Sequence, residues 1–195
     1  ASKIYSVQPK SAPGQINSIE YRPLEGFVFA VTPFNFTSIA SNLNMTPVLM
    51  GNTTVWKSST TSLLSNYYVM KAFMEAGVPA GVVNFLCGKG SLIGKIVLDS
   101  PDFGGIHFTG SSATFNSLWQ KAGENLTKYK TFPRMVGETG GKDYIFVHPS
   151  AVADQVANAA FCGAFEFQGQ KCSAASRMYA PKSLWPEILK GIKRR

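Results

Sequence analysis

Short apolar runs alternate with helix-length segments along most of this chain, and that alternation constrains the fold more than any other feature. Residues 26–32 (GFVFAVT) form a β-rich run closed by Pro33, and residues 53–57 (TTVWK), 82–86 (VVNFL) and 105–108 (GIHF) repeat the pattern. Residues 38–50, 62–76 and 91–98 lie between them with apolar side chains at helical spacing. Pro47 is expected to shorten or bend the first helix. The second is expected to bury one face carrying Leu63, Leu64, Tyr67, Met70, Phe73 and Met74. Residues 112–128 continue as helix, 134–137 and 143–147 as short strands, and 151–165 and 184–193 as further helices. A helix-length crossover is what returns a chain to the same end of a parallel sheet. The expected fold is therefore α/β: a doubly wound, mostly parallel sheet covered on both faces.

Punctuation along the chain suggests three parts. Residues 1–22, with Pro9, Pro13 and Gly14, read as an extended lead-in. Residues 23–138 read as one domain, and residues 139–195 as the beginning of a second, incomplete one. Helical signal is still running at 191–195 without a stop, and the chain opens without a Met, so both termini read as incomplete.

Composition removes several function classes. At 45% hydrophobic and 15% charged residues, the chain has enough apolar surface for a packed core. Three cysteines argue against a disulfide framework, and their placement with His107 and His148 offers no zinc spacing, so no metal is expected. No window of about eighteen apolar residues occurs, which excludes a transmembrane helix. The net charge of +8 invites a nucleic-acid reading. Half of it, however, comes from residues 181–195, where Lys182, Lys190, Lys193, Arg194 and Arg195 meet Glu187 alone. The rest is scattered without interleaved aromatics, so no nucleic-acid partner is expected.

Absent motifs narrow the field further. No G-x-G-x-x-G follows the first strand, Gly140-Gly141-Lys142-Asp143 lacks the rest of a phosphate loop, and no G-x-S-x-G elbow occurs. Five polar segments at strand or helix ends remain. They are Pro33-Phe34-Asn35-Phe36, Trp56-Lys57-Ser58-Ser59, Phe108-Thr109-Gly110-Ser111, Gly137-Glu138-Thr139-Gly140-Gly141-Lys142 and Gly169-Gln170-Lys171-Cys172-Ser173. Ligands of open parallel sheets bind outside the carboxyl ends of the strands, where such loops converge.

In this order, and with this spacing between Glu138 and Cys172, the five segments resemble the aldehyde dehydrogenase superfamily from about Tyr21 onward. Thr131-Phe132-Pro133-Arg134, Phe165-Glu166-Phe167-Gln168 and Ser183-Leu184-Trp185-Pro186 are most similar to its Δ1-pyrroline-5-carboxylate (glutamate semialdehyde) dehydrogenase branch. The resemblance implies NAD-dependent oxidation of glutamate semialdehyde to glutamate through a cysteine thioester, in proline catabolism.

Residue by residue, the resemblance makes Cys172 the nucleophile. A thiol in a polar loop beside Lys171 suits that role, although an arbitrary cysteine is more often a packing residue. Cys87 and Cys162 are read as buried or incidental thiols. Glu138 becomes the base that activates water. Its place after Met135-Val136 suggests a partly buried carboxyl whose pKa desolvation would raise, with a structural carboxylate as the other reading. Asn35 offers an uncharged donor which, with the Cys172 N–H, stabilises an oxyanion; otherwise it is a turn residue.

For the cofactor, Lys57 matches the lysine that contacts the adenosine ribose, and Thr32 a position whose backbone meets the dinucleotide. Gly110, Ser111, Ser112, Ala113 and Thr114 match the segment passing the pyrophosphate, where bare backbone and a helix N-terminus favour phosphate. Ser58 replaces the proline usual after the lysine, and Thr60 and Thr61 bring no carboxylate against a 2′-phosphate. NAD over NADP therefore follows from the branch alone. Ser173 is expected to receive the substrate carboxylate and Phe36 to line its aliphatic part.

The resemblance further implies a small-molecule aldehyde partner, no membrane partner, a homo-oligomeric full-length enzyme, and the mitochondrial matrix, or the cytoplasm if bacterial. The family's later glutamate, substrate-anchor loop and oligomerisation strand would lie beyond Arg195, so the chain alone is expected to be inactive. The alternatives are a non-catalytic chain that only binds nucleotide or a parent subunit, another aldehyde, and an acyl-transferring outcome. Glu138 favours hydrolysis over the last.

Overall fold

A computed structural model describes residues 2–195; Ala1, the first residue of the expected lead-in, lies outside the described residues. The chain divides into two compact units, one ending at Glu138 and the other spanning Thr139–Arg195.

The first unit is built on β1 (Phe27–Val31), β2 (Thr53–Lys57), β3 (Val83–Leu86), β4 (Phe103–Gly110) and β5 (Arg134–Thr139), in the order β3-β2-β1-β4-β5. β1 pairs in parallel with both β2 and β4, and β2 with β3. The chain thus walks outward from β1, then returns to β4 on the other side. That reversal leaves a crevice beyond the carboxyl ends of β1 and β4.

Alternation along β1 sends neighbouring side chains to opposite faces. Phe29 joins Ile106, Phe108 and Phe115 under α4 (Gly90–Leu98) and α5 (Ser112–Glu124). Ala30 joins Trp56 and Val83 under α2 (Thr37–Leu49) and α3 (Leu63–Glu75). The doubly wound parallel sheet expected from the sequence is the observed one.

Several local expectations are corrected. The lead-in is not wholly extended: Ser2–Tyr5 form one helical turn, α1, and Gln8 clasps Ile19 through hydrogen bonds of 3.2 and 2.8 Å before β1 begins. α3 is rotated from the expected face, because Leu64, Tyr67 and Met74 are 69%, 49% and 61% exposed while Asn66 is buried. The Asn66 amide donates to Ser62 Oγ at 3.1 Å, so a polar residue sits at the centre of the packed face beside Val69, Met70 and Phe73. α5 stops at Glu124 because Asn125 turns inward and donates to Leu98 O at 2.8 Å; residues 126–128 are a separate 3-10 turn.

α2 runs through Pro47 to Leu49. Proline has no N–H, so the Leu43 carbonyl four residues earlier loses its helical donor. His107 of β4 sits 3.1 Å from that oxygen through Nδ1 and supplies the missing bond as the Nδ1–H tautomer. Burial holds the imidazole pKa below its usual value, and the Leu43 bond only partly offsets this.

In the second unit, β6 (Asp143–Phe146) pairs in parallel with β7 (Ala175–Tyr179), packed against α6 (Ala153–Phe165) and α7 (Trp185–Lys193) around Val147, Ala157 and Ile188. The sequence did not point to β7. Ala-Ser-Arg-Met-Tyr has no β-branched residue and little apolar alternation, so pairing with β6 makes it a strand. Arg195 at the chain's basic end binds Asp154 at 2.9 Å, so part of the local charge excess has an acidic partner within the unit.

Candidate active site

The carboxyl ends of β1 and β2 bring Thr32 and Lys57 together. The Thr32 N–H donates to Lys57 O at 3.2 Å, and the Thr32 hydroxyl accepts from the fully buried Trp56 indole at 2.9 Å. With its N–H spent on the sheet, any backbone contact from Thr32 to a nucleotide falls to its carbonyl. Lys57 is half-buried and extends toward the start of α4, where a Cβ on Gly90 would lie 3.7 Å from Nζ. Desolvation lowers the pKa of its ammonium, which therefore favours an anionic or hydroxyl-rich partner.

Gly110 ends β4, Ser111 caps α5, and Ser112, Ala113 and Thr114 form that helix's exposed first turn. The Ser111 hydroxyl accepts the Thr114 N–H at 3.2 Å. Ala113 and Thr114 then face α4 across a groove of about 710 Å³, continued by Gly90, Ser91, Gly94, Lys95, Ser117, Leu118 and Lys121. Its volume lies in the range of small-molecule sites. Sequence reading missed the α4 wall. Gly90 and Gly94, four apart on one face of a short helix, were the available signal, since such residues open space beside a neighbouring helix.

Asn35 lies between β1 and α2, half-buried with its amide oxygen covered, which leaves the NH₂ end as the donor. Phe36, also half-buried, occupies the N-cap position of α2. Glu138 falls inside β5 rather than in a loop after it. It is exposed within this unit, not partly buried as expected. Gly137 before it is exposed, with the buried Phe115 ring of α5 against one side.

In the second unit Cys172 is half-buried on the loop between the 3-10 turn at Glu166–Gly169 and β7, and Ser173 is exposed. Phe167, Gln168 and Gly169 are all left-handed, with φ of 52°, 55° and 68°. Lys171 binds the Glu166 carboxylate, so its charge is drawn to the start of the loop. The backbone of Cys172 rests directly on Gly141. Cys87 and Cys162, expected to be buried or incidental thiols, are exposed, so burial is the part of that expectation corrected. Among the described residues no group of three or more His, Cys, Asp or Glu side chains is gathered as a metal site.

A parallel sheet that reverses between β1 and β4, with polar loops at its carboxyl ends and a groove at the start of α5, defines a doubly wound α/β domain of the dinucleotide-binding type. The chain belongs to the aldehyde dehydrogenase family, whose pattern matches residues 1–195. It is 51% identical over 191 residues to the mitochondrial delta-1-pyrroline-5-carboxylate dehydrogenase of Dictyostelium discoideum, covering 96% of this chain and 34% of that protein. Against the human mitochondrial enzyme of the same name it is 48% identical over 188 residues, covering 96% and 33%. The crystal structure of the Mycobacterium tuberculosis delta-pyrroline-5-carboxylate dehydrogenase bound with NAD matches with a TM-score of 0.93 at 50% identity, covering 97% of this chain and 36% of that one. The chain spans about a third of the length of the curated relatives it matches.

Proposed function

We propose that the protein carrying this chain oxidises L-glutamate 5-semialdehyde, formed from pyrroline-5-carboxylate, to glutamate with NAD, in proline catabolism. The observation that carries this reading is identity near 50% to pyrroline-5-carboxylate dehydrogenases across nearly the whole chain. The residues present suit a dinucleotide. Lys57 and Thr32 stand at the carboxyl ends of adjacent strands, and the positive end of α5, whose first turn is exposed, favours a pyrophosphate beside the groove. NAD, when bound, supplies the hydride acceptor that an aldehyde oxidation requires.

The chain's own residues supply the rest. Cys172 loses its proton and its sulfur attacks the aldehyde carbon, giving a tetrahedral oxyanion. The Asn35 amide and the Cys172 N–H donate to that oxygen without titrating. Loss of hydride from the same carbon restores the carbonyl as a thioester on Cys172. Glu138 takes a proton from water, the hydroxide adds, and the carbon–sulfur bond breaks to release the acid and the thiolate. The net change is aldehyde, NAD⁺ and water to carboxylic acid, NADH and a proton. Ser173, exposed beside the nucleophile, receives the substrate's distal carboxylate, and Phe36 lines its methylene chain. The mitochondrial designation of the Dictyostelium and human relatives supports a mitochondrial setting.

The test is NADH formation by the full-length gene product with glutamate semialdehyde and with a panel of uncharged aldehydes, alongside Cys172→Ala. Cysteine-dependent turnover that prefers the semialdehyde is expected. Turnover retained in Cys172→Ala would remove the nucleophile, and preference for an uncharged aldehyde would remove the substrate.

A further inference from the structure

We infer that Gly141 is a positioning residue for the reaction: its missing side chain seats the Cys172 carbonyl and thereby sets the peptide that carries the thiol. Gly141 has this role on the reading of Cys172 as nucleophile. A Cβ on Gly141 would lie 1.6 Å from Cys172 O, 2.6 Å from its carbonyl carbon and 3.1 Å from its Cα. All three are backbone atoms, so no side-chain rotation relieves the overlap, and one of the two loops must move. A flexible side chain opposite the glycine would be a milder case.

Moving the Cys172 carbonyl turns the Cys172–Ser173 peptide and shifts Cα. The thiol and the Cys172 N–H, the two groups assigned to attack and to the oxyanion, shift with it. From its other end the loop cannot easily follow. Phe167, Gln168 and Gly169 are three consecutive left-handed residues, a conformation that non-glycine residues keep only where their surroundings impose it. Turn bonds bracket the cysteine, Gln170 N–H to Phe167 O at 3.1 Å and Ala174 N–H to Lys171 O at 3.3 Å. The nucleophile loop is thus fixed in its approach by a strained turn and supported underneath by a residue with no side chain. Displacing reacting groups by about 1 Å costs on the order of a hundredfold in rate.

The experiment compares the full-length parent with Gly141→Ala. Gly163→Ala is the control, since a Cβ at this α6 position meets only the Ala175 Cβ at 3.6 Å. Measured for each are kcat, KM, NAD affinity, thermal midpoint, and the rate at which iodoacetamide alkylates Cys172, read by peptide mass spectrometry. Gly141→Ala is expected to lower kcat about a hundredfold, with KM and NAD affinity within about threefold of the parent. Its Cys172 alkylation rate is expected to change by about tenfold or more, whereas Gly163→Ala leaves every readout near the parent. Unchanged kcat and alkylation in Gly141→Ala would overturn the assignment. So would a variant that neither binds NAD nor unfolds cooperatively, because Gly141 would then be a folding residue. A parent inactive toward the semialdehyde, combined with altered alkylation in Gly141→Ala, would sink the proposed function and leave the positioning role standing.

Discussion

Replacing His107 by leucine removes the donor that satisfies the carbonyl Pro47 leaves unpaired in α2. Leucine is of similar bulk, so the main loss is one hydrogen bond to a carbonyl on the buried residue Leu43. Leaving such a group unsatisfied costs about 1–3 kcal/mol, and the half-buried imidazole's own desolvation offsets part of it. A net loss of about 1–2 kcal/mol is expected. Pro47→Ala restores a backbone N–H at the position that would bond Leu43 O. In that background His107→Leu should cost about 1 kcal/mol less, a coupling energy typical of groups sharing one partner. The assay is urea unfolding, followed by circular dichroism, of the parent, both single variants and the double variant. Equal cost of His107→Leu in the two backgrounds would refute the idea that the imidazole stands in for the missing amide.

The same histidine sets a pH dependence. Its folded pKa is depressed, so its contribution is complete above the unfolded value near 6.5 and is lost as pH falls through the folded value. Unfolding midpoints measured from about pH 7.5 down to about pH 5 should therefore fall more steeply in the parent than in His107→Leu; parallel curves would contradict this. Lys57→Met should weaken NAD binding by about tenfold or more, through loss of a charge-assisted hydrogen bond, without lowering the thermal midpoint of the unliganded protein, since the desolvated charge is gone. Calorimetric titration with NAD checks it, and unchanged affinity would remove Lys57 from the cofactor site. Gly137→Ala places a Cβ 2.4 Å from the Phe115 ring and should destabilise by about 1–3 kcal/mol. Added to Phe115→Ala, the same change should cost less, because its methyl enters space the ring has left; additive losses in urea unfolding would argue otherwise.

How much of this was legible in sequence depended on the kind of signal. β1 to β4 were visible because each is a compact apolar run between turn residues, and the crossovers between them dictated parallel pairing. The buried face of α3 was misread because Asn66 lies at its centre, its amide N–H donated to Ser62, and polarity alone argued for solvent. β7 escaped because its pairing with β6, not its residues, makes it a strand. The chemistry-bearing positions were legible only as short motifs. Gly141 was visible as half of a glycine pair, but the reason for it, the Cys172 carbonyl against its Cα, is a contact between loops distant in sequence. Glu138 shows the opposite limit: apolar neighbours in sequence suggested cover, yet it lies on the exposed side of β5 within its unit.

The central claim, that oxidation proceeds through a thioester on Cys172 which Glu138 then resolves, is tested most directly by trapping that species. Full-length Glu138→Gln is mixed rapidly with NAD and glutamate semialdehyde, NADH is followed by absorbance, and the quenched protein is digested for mass spectrometry. A burst approaching one NADH per site, slow turnover afterward, and a glutamyl adduct on the Cys172 peptide are expected. A burst lost in proportion to turnover, with Cys172 unmodified, would contradict the assignment of both residues.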